Sequence, residues 1–272
     1  MTSVNLENET LEHTKQPLMG HLLDLRRRLI WVFSTMFLST LICYFFVSDI
    51  YNFLVTPLAE AMGPGDTNRL IYTNLTEAFF TYLKVALFSG IFITFPILLI
   101  QVWIFIAPGL YEKERKAFLP FLAATPVLFF LGAACVYYLV LPMAWPFFLS
   151  FQMSAQEAVL PIQLEARVSE YLDLIMTLIF AFGLCFQMPV FLTLLGFVGI
   201  ITPDWLAKQR RYMIILIFTV AAILTPPDVL SQILLAVPLM GLYELSILMI
   251  RMVAPHSDAN PENKPHNDTH AA

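Results

Sequence analysis

Apolar residues run along this chain in six stretches, near residues 29–47, 78–106, 117–141, 170–199, 212–224 and 229–253. Short polar or proline-bearing segments separate them. A helix needs about 20 residues to cross a bilayer. The pattern therefore predicts an all-α integral membrane protein with six transmembrane helices. The second and fourth stretches are too long for an upright helix and are expected to tilt, kink or project. Pro96 and Pro189 lie inside them, and an interior proline removes a backbone bond and bends a helix. The fifth stretch reaches only about 20 Å as a helix, against a hydrocarbon core of about 30 Å. Either the bilayer thins there, or the element stops partway on a sheltered wall. Spans five and six are thus expected to be short or tightly paired. No internal repeat is visible.

Composition agrees with the pattern. The chain has 272 residues, of which 58% are hydrophobic and 13% charged, against about 45–50% and roughly 25% in soluble domains. The net charge of −5 gives no support for nucleic-acid binding. Cys43, Cys135 and Cys185 lie in apolar runs without paired spacing, which argues against a disulfide framework or a zinc site. The first sixteen residues are polar and acidic, unlike a cleavable signal peptide. Residues 1–16 and 254–272 are expected to be disordered tails around one membrane domain, 17–253. His256, His266 and His270 in the second tail lack metal-ligand spacing. No cofactor is expected.

Charge placement predicts orientation. Lys15, Arg26, Arg27 and Arg28 precede the first stretch; Lys113, Arg115 and Lys116 follow the second; Lys208, Arg210 and Arg211 follow the fourth; Arg251 and Lys264 end the chain. The alternate loops hold only Arg69 and Arg167. The positive-inside rule then predicts both termini in the cytoplasm. The outer loops, about 48–77 and 142–168, carry Pro57, Pro142, Pro146 and Pro161 and are expected to form short helices or caps.

Four constellations carry candidate chemistry. In "HLLDLRRRLIW", Asp24 stands beside three arginines. It either pairs with Arg27 or Arg28 along the helix, worth about 0.2–0.5 kcal/mol, or stays available to an external cation. In "APGLYEKERKA", Glu112 and Glu114 lie on the same predicted side. Carboxylates at both places suit a doubly cationic peptide, because the planar guanidinium meets a carboxylate bidentately. In "LTPPDVLSQ", Pro226 and Pro227 force a reversal and Asp228 sits where an N-cap belongs. Within the apolar stretches, Gln187 precedes Pro189 and either bonds a partner helix or its own chain. Glu244 shares a face with Arg251, and Lys84 either snorkels or pairs with Glu77.

Five segments together closely resemble the TatC family of twin-arginine protein translocases: "PLMGHLLDLRRRL" (17–29), "PILLIQVWIFIAPGLYEKERK" (96–116), "AFGLCFQMPV" (181–190), "GIITPDWLAKQRRY" (199–212) and "LTPPDVLSQILLAVPL" (224–239). They occur in the family's order and spacing. The resemblance implies a six-span, cupped receptor in a bacterial inner membrane. It implies recognition of consecutive-arginine signal peptides on folded cargo, and export driven by the proton-motive force. TatB-like and TatA-like single-span proteins and further copies of the chain are the implied partners. By the same resemblance, Asp24, Arg26, Phe105, Glu112 and Glu114 form the signal-peptide site. Gln187 and Met213 contact a partner helix, and Pro57, Pro226 and Asp228 have structural or assembly roles. The family commonly has Glu at position 24 and often Glu at position 187. Here Asp24 keeps the charge with a shorter reach, whereas the Gln187 amide does not titrate. The competing expectation from a different class is a proton-coupled small-molecule transporter using Glu77, Lys84, Glu170 and Asp173. A membrane enzyme is disfavoured because no spacing suggests a metal site or a nucleophile–base pair.

Overall fold

The computed structural model describes residues 18–63, 69–106, 112–152, 160, 164–225 and 229–253, with side chains except at 18, 19, 21, 22, 106, 112–119 and 253. The two tails, Pro226 and Asp228 lie outside the described residues. Nine α-helices are described: α1 Leu18–Phe45, α2 Val47–Met62, α3 Glu77–Ile106, α4 Glu112–Cys135, α5 Leu141–Leu149, α6 Val168–Cys185, α7 Met188–Phe197, α8 Pro203–Leu224 and α9 Val229–Val253. A π-helical turn, Val136–Val140, joins α4 to α5. The only β-pairing among the described residues is an isolated bridge between Ile71 and Arg167.

Among the described residues, five helical stretches are long and apolar enough to cross a membrane: Leu23–Phe45, Glu77–Phe105, Pro120–Leu149, Val168–Phe197 and Val229–Met252. The sixth expected span corresponds to α8. Its helix is longer than its apolar part, because Thr202 caps it by accepting from the Trp205 amide at 3.3 Å and Pro203 opens it. Lys208, Arg210 and Arg211 occupy its first half. The prolines act differently by position. Pro96 is carried inside continuous α3, whereas before Pro189 the helix breaks at Phe186–Gln187 and restarts as α7. The outer loops hold α2, which contains Pro57, and α5, which extends the third apolar stretch.

Helix α1 lies against α3, α3 against α4 and α6, α4 against α6, and α9 against α7 and α8. The core centres on α6, where Leu172, Ile175 and Phe182 are fully buried. In lipid, packing contacts rather than water exclusion hold such helices together, so small residues matter at close crossings. A Cβ on Gly132 of α4 would stand 2.7 Å from the Phe182 carbonyl oxygen of α6. A Cβ on Gly183 would stand equally near the Phe129 ring. Phe92, Phe95, Phe129 and Phe180 fill the adjoining space, with Phe92–Phe129 centroids 4.9 Å apart. At one edge, α1 exposes Trp31, Phe33 and Phe37, and Gly90 of α3 approaches the Thr40 backbone of α1 too closely for any side chain.

Arg28 meets Gln101, Trp103 packs with Phe121 and Val190, and Ile250 packs with Leu206 and against Gly196, so the start of α1, the end of α3, the first turns of α4 and α8 and the end of α9 gather at one end of the bundle, the terminus-bearing face. The opposite face carries a cap. The Ile71 amide donates to the Ala166 carbonyl at 3.0 Å, and the Val168 amide to the Ile71 carbonyl at 2.9 Å. Glu77 accepts from the Thr73 amide at 2.9 Å, the Ser169 hydroxyl at 2.6 Å and the Arg167 guanidinium at 3.4 Å. Tyr171 and Tyr137 hydroxyls donate to the Leu54 and Phe53 carbonyls of α2 at 3.0 and 2.8 Å. Six of the bonds just named join segments more than fifty residues apart.

Candidate functional site

The terminus-bearing face is built differently. Arg28 of α1 donates through Nη1 to Gln101 Oε1 of α3 at 2.9 Å, while its Nη2 lies 3.4 Å from Asp24 Oδ2. The pairing of Asp24 with Arg28 expected from helical spacing is therefore present, but it is long and touches one oxygen. Among the described residues nothing bonds Asp24 Oδ1, and the carboxylate side chain is 55% exposed. Phe105 stands one turn beyond Gln101, and Asp24 one turn before Arg28 on an antiparallel neighbour. Both therefore lie about 6 Å nearer the face than the Arg28–Gln101 bond. Phe105 is half-buried and Arg26 exposed. Glu112 and Glu114 fall in the first turn of α4, at the same face; their side chains are not among those described.

A second constellation lies along the side of the bundle. The α6–α7 break places Gln187 between α4 and α8, where it is buried. Its Nε2 donates to the Thr125 carbonyl of α4 at 3.0 Å, so one of the two expected bonding modes, a bond within the chain, is realised. Its Oε1 has no partner among the described residues. Gln187 and Met213 line one cavity of about 470 Å³, together with Leu99, Trp103, Phe191 and Ile217. The cavity lining is otherwise almost wholly apolar, a setting in which an unbonded amide oxygen is costly.

One expected pairing is corrected. Lys84 bonds Asp173 of α6 at 2.9 Å instead of Glu77, because Glu77 is taken by the cap and α3 packs on α6. Glu244 shares its face of α9 with Arg251, as expected, and is held from α8 by Arg210, Nε to Oε1 at 2.7 Å and Nη2 to Oε2 at 2.8 Å. Sequence spacing could not find Gln101, Thr125, Asp173 or Arg210 as partners, since each bond joins elements far apart in the chain. Pro57 is buried within α2. Glu170 pairs with Arg167 at 2.8 Å. No group of three or more His, Cys, Asp or Glu side chains that could hold a metal ion occurs among the described residues.

A multi-span helical membrane protein with an open carboxylate at one face and a buried amide in a side cavity is the class these features define. The family described as Sec-independent protein translocase protein (TatC) matches residues 20–238. The chain is 48% identical to the Sec-independent protein translocase protein TatC of Magnetococcus marinus over 237 residues, 87% of this chain and 84% of that one. It is 40% identical to that of Haemophilus influenzae, over 89% of this chain and 92% of the relative. The crystal structure of the twin arginine translocase receptor TatC superposes with a TM-score of 0.72 at 35% identity, covering 86% of this chain and 99% of that one. The chain belongs to the TatC family. It is a protein-translocase component and not an enzyme.

Proposed function

We propose that this chain is the receptor subunit of a twin-arginine translocase and binds paired arginines of signal peptides at its terminus-bearing face. Asp24, Glu112 and Glu114 supply the anionic partners, Arg26 sets the local field and Phe105 offers an apolar contact. The observation that supports this reading most is the Asp24–Arg28–Gln101 chain. It locks α1 onto α3 through Arg28 and leaves a carboxylate oxygen open one turn further out. Charge-assisted, forked bonds from an incoming guanidinium would complete it. The face is cytoplasmic in this reading. The protein then crosses a bacterial inner membrane six times, with α8 as the fifth span and both termini inside. Residues 17–253 form its single membrane domain, and several copies assemble.

The Gln187–Met213 cavity serves as the contact for a TatA-like or TatB-like single-span helix during proton-motive-force-driven export. A donor on that helix would satisfy Gln187 Oε1. Pro57, and Pro226 with Asp228 at the α8–α9 reversal, serve structure or assembly. The transporter alternative is not favoured. Glu77 and Glu170 both pair with Arg167, and Lys84 pairs with Asp173, so the groups it requires are engaged with one another.

Photo-crosslinkers placed at positions 24 and 114, in membranes challenged with a twin-arginine precursor and its twin-lysine variant, test the receptor reading. Strong labelling by the first and weak labelling by the second is expected. Equal labelling by both removes arginine recognition.

A further inference from the structure

A groove of about 440 Å³ opens between α8 and α9, lined by Arg210, Gly241, Glu244, Leu245, Leu248 and Arg251. Positions 241, 244, 248 and 251 follow one another at helical spacing, so they form a continuous stripe on α9 facing Arg210 of α8. Glu244 engages Arg210 through Nε and Nη2. A guanidinium has five N–H donors, so Arg210 retains others, and Arg251 adds a second, exposed guanidinium in the last turn of α9. Two cations against one carboxylate leave the groove with an excess positive charge.

Depth decides what fits there. Helix α9 is about 37 Å long, longer than a hydrocarbon core of about 30 Å, and the exposed Arg251 in its last turn draws that end to the headgroup layer. Gly241 sits about 15 Å deeper than Arg251, among acyl chains. Between them Leu245 and Leu248 are 43% and 53% exposed and present apolar walls. A Cβ on Gly241 would meet nothing within 4 Å, so the deep end of the groove is open. A slot with cations at the headgroup level and an apolar, open floor running inward matches the shape and polarity of a phospholipid.

We infer that the α8–α9 groove binds an anionic phospholipid, its phosphate on Arg251 and Arg210 and one acyl chain along Leu248 and Leu245 toward Gly241. Glu244 holds the Arg210 side chain at the groove. It also lowers the net positive charge, so the site favours a monoanionic headgroup, whose charge matches the excess.

Native mass spectrometry of the detergent-purified full chain tests this, with phosphatidylglycerol, phosphatidylcholine and inorganic phosphate added separately. Phosphatidylglycerol is expected to form a single-lipid adduct retained about fivefold better than phosphatidylcholine. Arg251→Gln should lower that retention by about fivefold and Arg251→Lys should restore most of it. Arg69→Gln, on the opposite face, changes total charge equally and should leave retention unchanged. Melting curves of each variant confirm folding. A Gly241→Phe variant, which fills the floor without touching charge, should also lower retention. Equal retention of the two lipids, or equal loss in Arg69→Gln and Arg251→Gln, overturns the inference. Displacement of the lipid by millimolar inorganic phosphate would assign the groove to free anions and overturn it as well.

Discussion

The two ends of this bundle are tied in opposite ways. At the capped end, Glu77, Arg167, Ser169 and the Ile71 bridge join the loop before α3 to the start of α6, and tyrosine hydroxyls fasten α2 from below. At the terminus-bearing end, the long-range ties among the described residues are isolated side-chain contacts: Arg28 to Gln101, Arg210 to Glu244, and the Tyr243 hydroxyl to the Leu206 carbonyl at 2.8 Å. Asp24 and Arg26 stand exposed there. One end engages its polar groups with one another; the other leaves Asp24 and Arg26 exposed. Under the proposed function, fold and recognition are thereby separated along the membrane normal.

That separation is open to attack at each end. The largest effect is expected from Glu77→Ala, which leaves Arg167 and the Thr73 and Asn74 amides without their shared acceptor. The unfolding midpoint in detergent should fall well below that of every terminus-face variant, while folded molecules still dock a precursor. Asp24→Asn combined with Glu114→Gln should do the reverse: an unchanged melting curve and precursor affinity lowered at least about tenfold. Combining the changes at both ends should give additive losses, since no partner is shared. Strong coupling between them in a double-mutant cycle would show that the two ends are not independent.

Between the ends, Gln187→Leu removes the amide and should weaken crosslinking to a single-span partner helix by about threefold to thirtyfold, the range expected for about 0.6–2 kcal/mol. Precursor docking measured alongside should hold. The smallest effect belongs to the Lys84–Asp173 pair, whose side chains are 54% and 48% exposed. A double-mutant cycle on thermal stability should give a coupling of about 0.2–1 kcal/mol.

Hydropathy was enough to mark the five stretches long and apolar enough to cross a membrane, because length and apolar continuity are local properties. It also located the break near Pro189, since the missing amide acts within one turn. It undershot α8, whose first half is helical through its cap and opening proline while carrying Lys208, Arg210 and Arg211. Asp24 with Arg28 was legible from helical spacing as one of several alternatives, and the placement of Glu112 and Glu114 at the same end came from the loop charges. The partners of Lys84, Glu244 and Gln187 were not. Each is chosen by which helices touch, and a local window holds no trace of that. The cap was hidden for the same reason: Glu77 and Ser169 are ninety-two positions apart.

The interruption at Phe186 and Gln187 has a further chemical result. In an unbroken helix the Cys185 carbonyl would receive the amide of residue 189, but that residue is proline and has no N–H to give. Cys185 lines the same cavity as the Gln187 amide oxygen. At this break, then, the Cys185 carbonyl lacks its ordinary helical donor, and the Gln187 amide oxygen is buried without a partner among the described residues. Under the proposed partner contact, a visiting segment that brings an O–H or N–H group would answer this shortage, and one made only of hydrocarbon would not.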